Sequence, residues 1–254
     1  MQLEGKTVVI TGAGSGLGRA MARRLARDGA TVVAAGESAG PLAETVALIE
    51  RDGGRAQAVT ADVSREDDVV ALMQRVGDEL GRLDVLVNNA GVEFSKPVLD
   101  TTVEEWDALM GVNLRGVFLC AKHAIAAMRG YGNGGVIVNV ASELALTGSE
   151  NVAAYSASKA GVVQLTRALA VEHAADGIRV NALSPGVILT ALLQTALDAT
   201  GDAEARRRAF EDRTLLKRLG TPEEAAEAAL FLASPRSSYM TGANLVLDGG
   251  WTAH

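Results

Sequence analysis

Short apolar runs rich in β-branched residues alternate along the chain with longer stretches in which apolar positions return every three or four residues. The short runs predict strands at residues 7–10, 31–35, 56–59, 85–88, 136–140, 179–184 and 244–247. Most are continuous rather than alternating, the pattern of strands covered on both faces of a parallel sheet. The longer stretches predict helices at residues 17–28, 42–51, 66–80, 103–128, 154–174 and 222–233. Two helix starts carry their own signals. Ser64 with Asp67 three residues on gives a capping-box pattern, and Thr221-Pro222-Glu223-Glu224 puts proline at the first helical position. The alternation runs without a linker, repeat or low-complexity tract. It predicts one α/β domain over residues 1–254, a doubly wound Rossmann-type fold whose seven-stranded, mostly parallel sheet is flanked by helices. Residues 187–213 interrupt the rhythm: they are too many for a βα connection, contain Thr200-Gly201-Asp202 and end in a charged stretch from Glu204 to Arg213. They suggest a segment covering a site, with a helical excursion over the surface as the plainer alternative.

Composition narrows the function classes. Of 254 residues, 48% are hydrophobic and 22% charged, which places the chain among folded globular proteins and away from disorder. Lys and Arg number 24 against 31 Asp and Glu, and the net charge of −7 argues against nucleic acid or an anionic membrane surface as the main partner. Small molecules remain. Cys120 is the only cysteine, so no intrachain disulfide forms and a reducing compartment is favoured. With no run of about 20 apolar residues and no leader pattern after Met1, a cytoplasmic location is expected.

Between the first strand and first helix lies Thr11-Gly12-Ala13-Gly14-Ser15-Gly16-Leu17-Gly18. Glycines at a strand-to-helix turn let the backbone approach a pyrophosphate, whose charge meets free N–H groups and the positive end of the helix dipole. Glu37 follows about 20 residues on, after the second strand, where a carboxylate accepts from ribose hydroxyls. The spacing is T-G-x-x-x-G-x-G, and Arg19 stands where G-x-G-x-x-G would end. In this the chain resembles the short-chain dehydrogenase/reductase family, and the resemblance runs its whole length. Asp62-Val63 follows the third strand, Asn88-Asn89-Ala90-Gly91 ends the fourth, and Asn113 lies in the helix after it. Ser142 follows the fifth strand, Tyr155-Ser156-Ala157-Ser158-Lys159 fits Y-x-x-x-K, and Pro185-Gly186 follows the sixth, with Thr190 and Asp248-Gly249-Gly250 beyond.

The resemblance implies a catalytic set of Asn113, Ser142, Tyr155 and Lys159. It further implies that a nicotinamide dinucleotide is held by Gly12, Ser15, Gly16, Leu17, Gly18, Glu37, Asp62, Val63, Asn89, Ala90, Gly91, Tyr155, Lys159, Pro185, Gly186, Ile188 and Thr190. It makes Lys159 the partner of the nicotinamide ribose and Asn113 the holder of a water that links the lysine to solvent. Ser142 would face the substrate oxygen. The residues themselves add a physical reason. Lys159 lies four residues after Tyr155, so both share a helix face, and an ammonium beside the phenol, with a positive nicotinamide nearby, favours the phenolate. Singly, the pair reads equally as a helix-surface pair, Ser142 as a turn residue and Asn113 as a helix irregularity. Ser15 and Glu37 supply no cation for a 2′-phosphate, so NAD is expected over NADP, although the family's usual acidic position holds Gly36.

The substrate is expected to be a secondary alcohol or ketone, with a sugar, polyol or cyclic alcohol suited to the expected lining. Leu144, Leu146, Val187, Ile188 and Leu192 would form apolar walls; Glu93, Glu143 and Asn151 would meet hydroxyls or simply face water. A 3-oxoacyl-thioester reductase of the acyl-carrier-protein type is the runner-up, and a nucleotide-binding sensor without turnover a third reading. Val117, Phe118, Leu119, Val162, Val163 and Leu165 exceed one buried stripe per helix and suggest a homo-oligomeric interface, a tetramer by resemblance. His123 and His173 read as surface or packing residues rather than ligands.

Overall fold

Seven runs of apolar residues become the strands β1 (Thr7–Thr11), β2 (Thr31–Gly36), β3 (Arg55–Thr60), β4 (Val85–Asn88), β5 (Gly135–Val140), β6 (Ile178–Pro185) and β7 (Asn244–Leu247). A computed structural model describes residues 1–198 and 202–253 apart from the side chains of Leu192 and Ala196. The Thr200-Gly201 part of the predicted covering segment and the predicted Leu192 wall lie outside the described residues. Every strand pairing is parallel, in the order β3-β2-β1-β4-β5-β6-β7. Successive side chains on a strand point to opposite faces, so β1 feeds both halves of the core. Val8 and Ile10 join the layer under helices α1 (Gly16–Arg27) and α9 (Pro222–Ala233), with Met21, Leu25 and Leu230. Val9 joins the layer under α3 (Glu66–Leu80) and α5 (Gly116–Tyr131), with Leu72, Leu86 and Met128. The remaining helices are α2 (Ala39–Arg51), α4 (Val103–Met110), α6 (Ala153–His173), α7 (Ala191–Asp198) and α8 (Ala203–Arg213).

Three local expectations are corrected. The helix expected at 103–128 is broken by a π turn at Gly111–Arg115 that separates α4 from α5; apolar periodicity cannot register one inserted residue. The Ser64–Asp67 capping box does not form. Arg65 is the N-cap residue of α3, while Asp62 takes the Ser64 N–H at 2.8 Å and Asp68 reaches back to the Asp62 N–H at 3.0 Å. At α9 Pro222 does take the first helical turn, and Thr221 and Glu224 form a capping box there. Of the six apolar residues assigned to an interface, Val117, Leu119, Val162 and Val163 are buried within the chain's own core, leaving Leu165 partly buried against it and Phe118 45% exposed. Residues 187–213 are largely helical, as α7 and α8.

The chain winds from β1 to β3 on one side and then crosses to β4 on the other, so the order reverses between β1 and β4. In doubly wound sheets, ligands bind outside the carboxyl ends of the strands at such a switch point. At the opposite, amino end of β1 and β4, Asp84 gathers the Thr7 N–H at 3.0 Å, Lys6 at 3.0 Å and both nitrogens of the Arg82 fork at 2.5 and 2.7 Å.

Candidate active site

β1 brings the chain to the switch point, where Gly12 and Gly16 adopt left-handed backbone, φ +64° and +50°, and turn it into α1. A Cβ at Gly12 would lie 2.8 Å from the Ala90 Cα and 2.9 Å from Asn89 Nδ2, and one at Gly18 would collide with the Gly12 carbonyl. Thr11 Oγ1 accepts from the N–H groups of Asn89 and Ala90, each at 3.0 Å, and Asn89 Nδ2 donates to the Thr11 and Gly12 carbonyls at 3.0 and 3.2 Å. Asn89 therefore clamps the glycine turn. α1 opens with no acidic residue in its first turn and no side-chain cap from Ser15, so its N–H groups and dipole face the cleft as an anion site.

Sequence reasoning treated Arg19 only as a departure from a glycine spacing. In the fold it fastens the turn: its Nη2 donates to the Gly14 carbonyl at 2.6 Å and pairs with Glu44 at 2.7 Å, while Nε donates to Thr45 Oγ1 at 3.0 Å. Its partners lie about 25 residues away in α2, a distance that local pattern cannot bridge. The resulting cleft has a volume of about 290 Å³ and is lined in part by Gly12, Ser15, Gly36, Glu37, Val63, Ala90 and Gly91. Glu37, just past β2, is exposed on it. Glycines that leave room only for backbone, a free helix N-terminus and a carboxylate at the rim fit the pyrophosphate and a ribose of a dinucleotide.

Three further strand ends carry side chains toward the same edge. After β4, Gly91 runs beside the chemistry: a Cβ there would be 3.3 Å from Asn113 Oδ1 and 3.4 Å from Lys159 Nζ. Asn113 is fully buried in the π turn, and its amide pairs with the backbone of Val92, accepting from N–H and donating to C=O at 2.8 Å each, with Ser158 Oγ a third partner at 3.2 Å. The irregular turn is what aims this side chain across to the β4 exit. After β5, Ser142 caps the short 3₁₀ turn Glu143–Ala145; it accepts from the Leu144 N–H at 3.2 Å and donates its proton to Glu143 Oε2 at 2.6 Å. After β6, Gly186 is pressed against Asp248 and bonded to the Leu247 carbonyl at 2.9 Å, and Ile188 bridges to Gly220. Thr190 caps the start of α7 through the Leu193 N–H at 3.2 Å and lies against Gly16, whose Cβ would sit 3.6 Å from its methyl.

α6 carries Tyr155 and Lys159 into this edge. Lys159 is 4% exposed, donates to the Val140 carbonyl at 3.0 Å and stands 5.6 Å from the centre of the Tyr155 ring. Burial lowers its pKa to about 8, with the Glu93 charge acting the other way. The expected acidification of Tyr155 is not a property of the protein alone. Burial raises its pKa, the negative charges of Glu93 and Glu143 raise it further, and only the Ser142 hydrogen bond lowers it. Removal of the phenolate from water is the largest of these effects, and the two carboxylates act in the same direction. Sequence reasoning offered Glu143 as a group that might face water; it is 5% exposed. His123 and His173 instead pair with Glu66 and Asp176, at 2.9 and 2.8 Å.

Residues 12–252 match the family model described as Enoyl-(Acyl carrier protein) reductase. Among similar proteins, cis-4-hydroxycyclohexanecarboxylate dehydrogenase of Sinomonas cyclohexanicum is 48% identical over 98% of this chain and 97% of its own. The 3-oxoacyl-[acyl-carrier-protein] reductase of Thermotoga maritima is 40% identical over 98% and 99%. A candidate 2-deoxy-D-gluconate 3-dehydrogenase from Agrobacterium tumefaciens, solved with bound NADP, superposes with a TM-score of 0.90 at 40% identity, covering 100% of this chain and 98% of that one.

Proposed function

The chain belongs to the short-chain dehydrogenase/reductase family, and from that premise we propose how its own residues carry out reversible hydride transfer between a nicotinamide cofactor and a secondary alcohol or ketone. The observation that carries the reading is the meeting of Ser142, Tyr155 and Lys159 at the carboxyl ends of the strands, beside Gly91 and one strand away from the glycine turn. Bound nicotinamide supplies the site that accepts or gives the hydride and, when oxidised, a positive charge. Gly12, Ser15, Gly16, Leu17 and Gly18 would hold the pyrophosphate, Glu37 a ribose, Asp62 and Val63 the adenine side, and Asn89, Ala90, Gly91, Pro185, Gly186, Ile188 and Thr190 the rest of the cofactor, a reading supported by the cleft lining and the close approach of the glycines. Tyr155 moves the proton. As the neutral phenol that burial favours, it donates its proton to a carbonyl oxygen in reduction and becomes the phenolate; in oxidation the phenolate takes the hydroxyl proton and returns to the phenol. Lys159, fixed on the Val140 carbonyl, stabilises the phenolate and reaches the ribose, and Ser142 orients the substrate oxygen. Asn113 acts by holding the Val92 backbone in place.

NAD is the preferred cofactor in this reading, since the exposed Glu37 carboxylate repels a 2′-phosphate. Initial rates should be higher with NAD than with NADP; the reverse would relocate Glu37 away from the ribose. Residues 187–213 serve as a cover, supported by Thr190 against the glycine turn. Phe118, exposed beside Leu114 and Leu165 on one groove, supports a homo-oligomer, tetrameric by family resemblance, and a lone buried thiol at Cys120 suits the reducing cytoplasm. Among the described residues no helix is long and apolar enough to cross a membrane.

The central test is Tyr155→Phe. It should bind nucleotide like the parent in a fluorescence titration and lose alcohol oxidation by about 10²–10⁴-fold, the usual weight of a positioned acid/base. Unchanged turnover would remove the mechanism, and a wild type inert toward every alcohol would favour the sensor reading. The reductase of 3-oxoacyl thioesters stays the second reading, favoured by the Thermotoga maritima relative. A rate with 3-oxoacyl thioesters exceeding that with cyclic alcohols would promote it.

A further inference from the structure

Glu143 occupies a place where a carboxylate is costly. It follows the last residues of β5 in the Glu143–Ala145 turn, is 5% exposed, and receives the Ser142 hydroxyl proton at 2.6 Å. On the reading above, Ser142 touches the substrate oxygen, so the carboxylate stands one hydrogen bond beyond the group that orients that oxygen. Glu93, two residues past Gly91, adds a second negative field felt by Tyr155, Lys159 and Glu143 alike. Lys159 is a cation that feels the Glu93 charge.

We propose that Glu143 is a specificity-determining residue: its carboxylate rejects alcohols bearing an anionic group near the reacting carbon and reserves the site for uncharged substrates, above all cyclic alcohols and diols whose second hydroxyl can donate to it. Like charges in a poorly hydrated pocket repel strongly, and a carboxylate substrate would also compete with Glu143 for the few donors present. A neutral diol meets neither penalty. The chain would then differ in substrate charge from the Sinomonas cyclohexanicum relative, whose name specifies a carboxylate. The inference rests on the proposed dehydrogenase activity but concerns which alcohols enter.

The decisive pair is cis-4-hydroxycyclohexanecarboxylate and its carboxamide, alike in shape and different in charge. The holoenzyme should show kcat/KM for the carboxamide at least about tenfold above that for the carboxylate, carried mainly by KM. Glu143→Gln, whose amide oxygen can still accept the Ser142 proton, should bring the ratio toward one by a gain on the carboxylate. Burial raises the Glu143 pKa, and Glu93 and Tyr155 are the titratable groups facing it, with Lys159 facing Glu93 in turn. Discrimination in the wild type should therefore grow as pH rises and Glu143 ionises. Lys159 loses its charge around pH 8 in the same direction, and the Gln variant separates the two. If Glu143→Gln fails to bind nucleotide as a folded protein, the wild-type pH series and Glu93→Gln, with a smaller change in the same sense, decide the matter. Ligand-observed NMR with cyclohexanecarboxamide and cyclohexanecarboxylate gives a readout without turnover. Selective binding of the amide with no alcohol oxidised would preserve this inference and defeat the dehydrogenase reading. Oxidation of both alcohols with equal efficiency, a preference for the carboxylate, or a ratio unmoved by Glu143→Gln would overturn the inference and leave the activity standing.

Discussion

The Lys159 amine, buried and bonded to the Val140 carbonyl, has its pKa drawn down to about 8, whereas an unfolded lysine titrates near about 10.4. Between those values the unfolded chain binds the extra proton, so stability rises as pH climbs from about 8 to about 10 and is lowest, in this respect, at neutral pH. Lys159→Met should raise stability at pH 7 by about 1–3 kcal/mol once the lost hydrogen bond is counted, flatten the alkaline rise and abolish turnover. Urea melts at pH 7 and pH 10 beside an activity assay check all three. A gain in stability with loss of activity identifies a charge kept for chemistry rather than for the fold. The same contrast explains the limits of sequence reading at this scale. The Tyr155–Lys159 spacing announces a shared helix face, but the Tyr155 pKa is raised first by burial and then by Glu93 and Glu143, which only the ends of β4 and β5 bring near.

Among elements, those with strong local signals were legible: the glycine turn after β1, the proline start of α9 and the continuous apolar strands all form where pattern places them. The π turn at Gly111–Arg115 was not, because one extra residue hardly alters apolar periodicity, and its effect is felt only at Asn113. Equally hidden is a polar ladder through the core. Asn88 Nδ2 donates to Asn139 Oδ1 at 2.9 Å, Asn139 Nδ2 to Thr166 Oγ1 at 2.9 Å, and Thr166 to the Val162 carbonyl at 2.8 Å. It pins β4 to β5 and β5 to α6 directly beneath Ser142 and Lys159. Asn139→Ala strands a buried donor and a hydroxyl and should cost about 1–3 kcal/mol in urea denaturation. A loss below about 0.5 kcal/mol would mean that the ladder is not needed to tie these elements.

For the whole molecule, acid stability should be governed from the far end of the sheet. Burial alone would raise the Asp84 pKa, but hydrogen bonds from Arg82, the Thr7 N–H and Lys6 together hold it below the ordinary value. A depressed carboxyl stabilises the fold above its unfolded pKa and loses that contribution as pH falls through the lower, folded value. The urea midpoint should therefore decline below about pH 4, and Asp84→Asn should be weaker at neutral pH with a shallower decline. A parallel acid limb in both proteins would assign the loss to other carboxyl groups. Because every strand runs the same way, Asp84 sits at the amino rim and Ser142, Tyr155 and Lys159 lie at the carboxyl rim. Robustness and turnover thus occupy opposite ends of one slab. Substitutions that toughen the lower rim should combine additively with those that retune substrate choice at the upper one, so a lineage can accumulate the first kind before it risks the second.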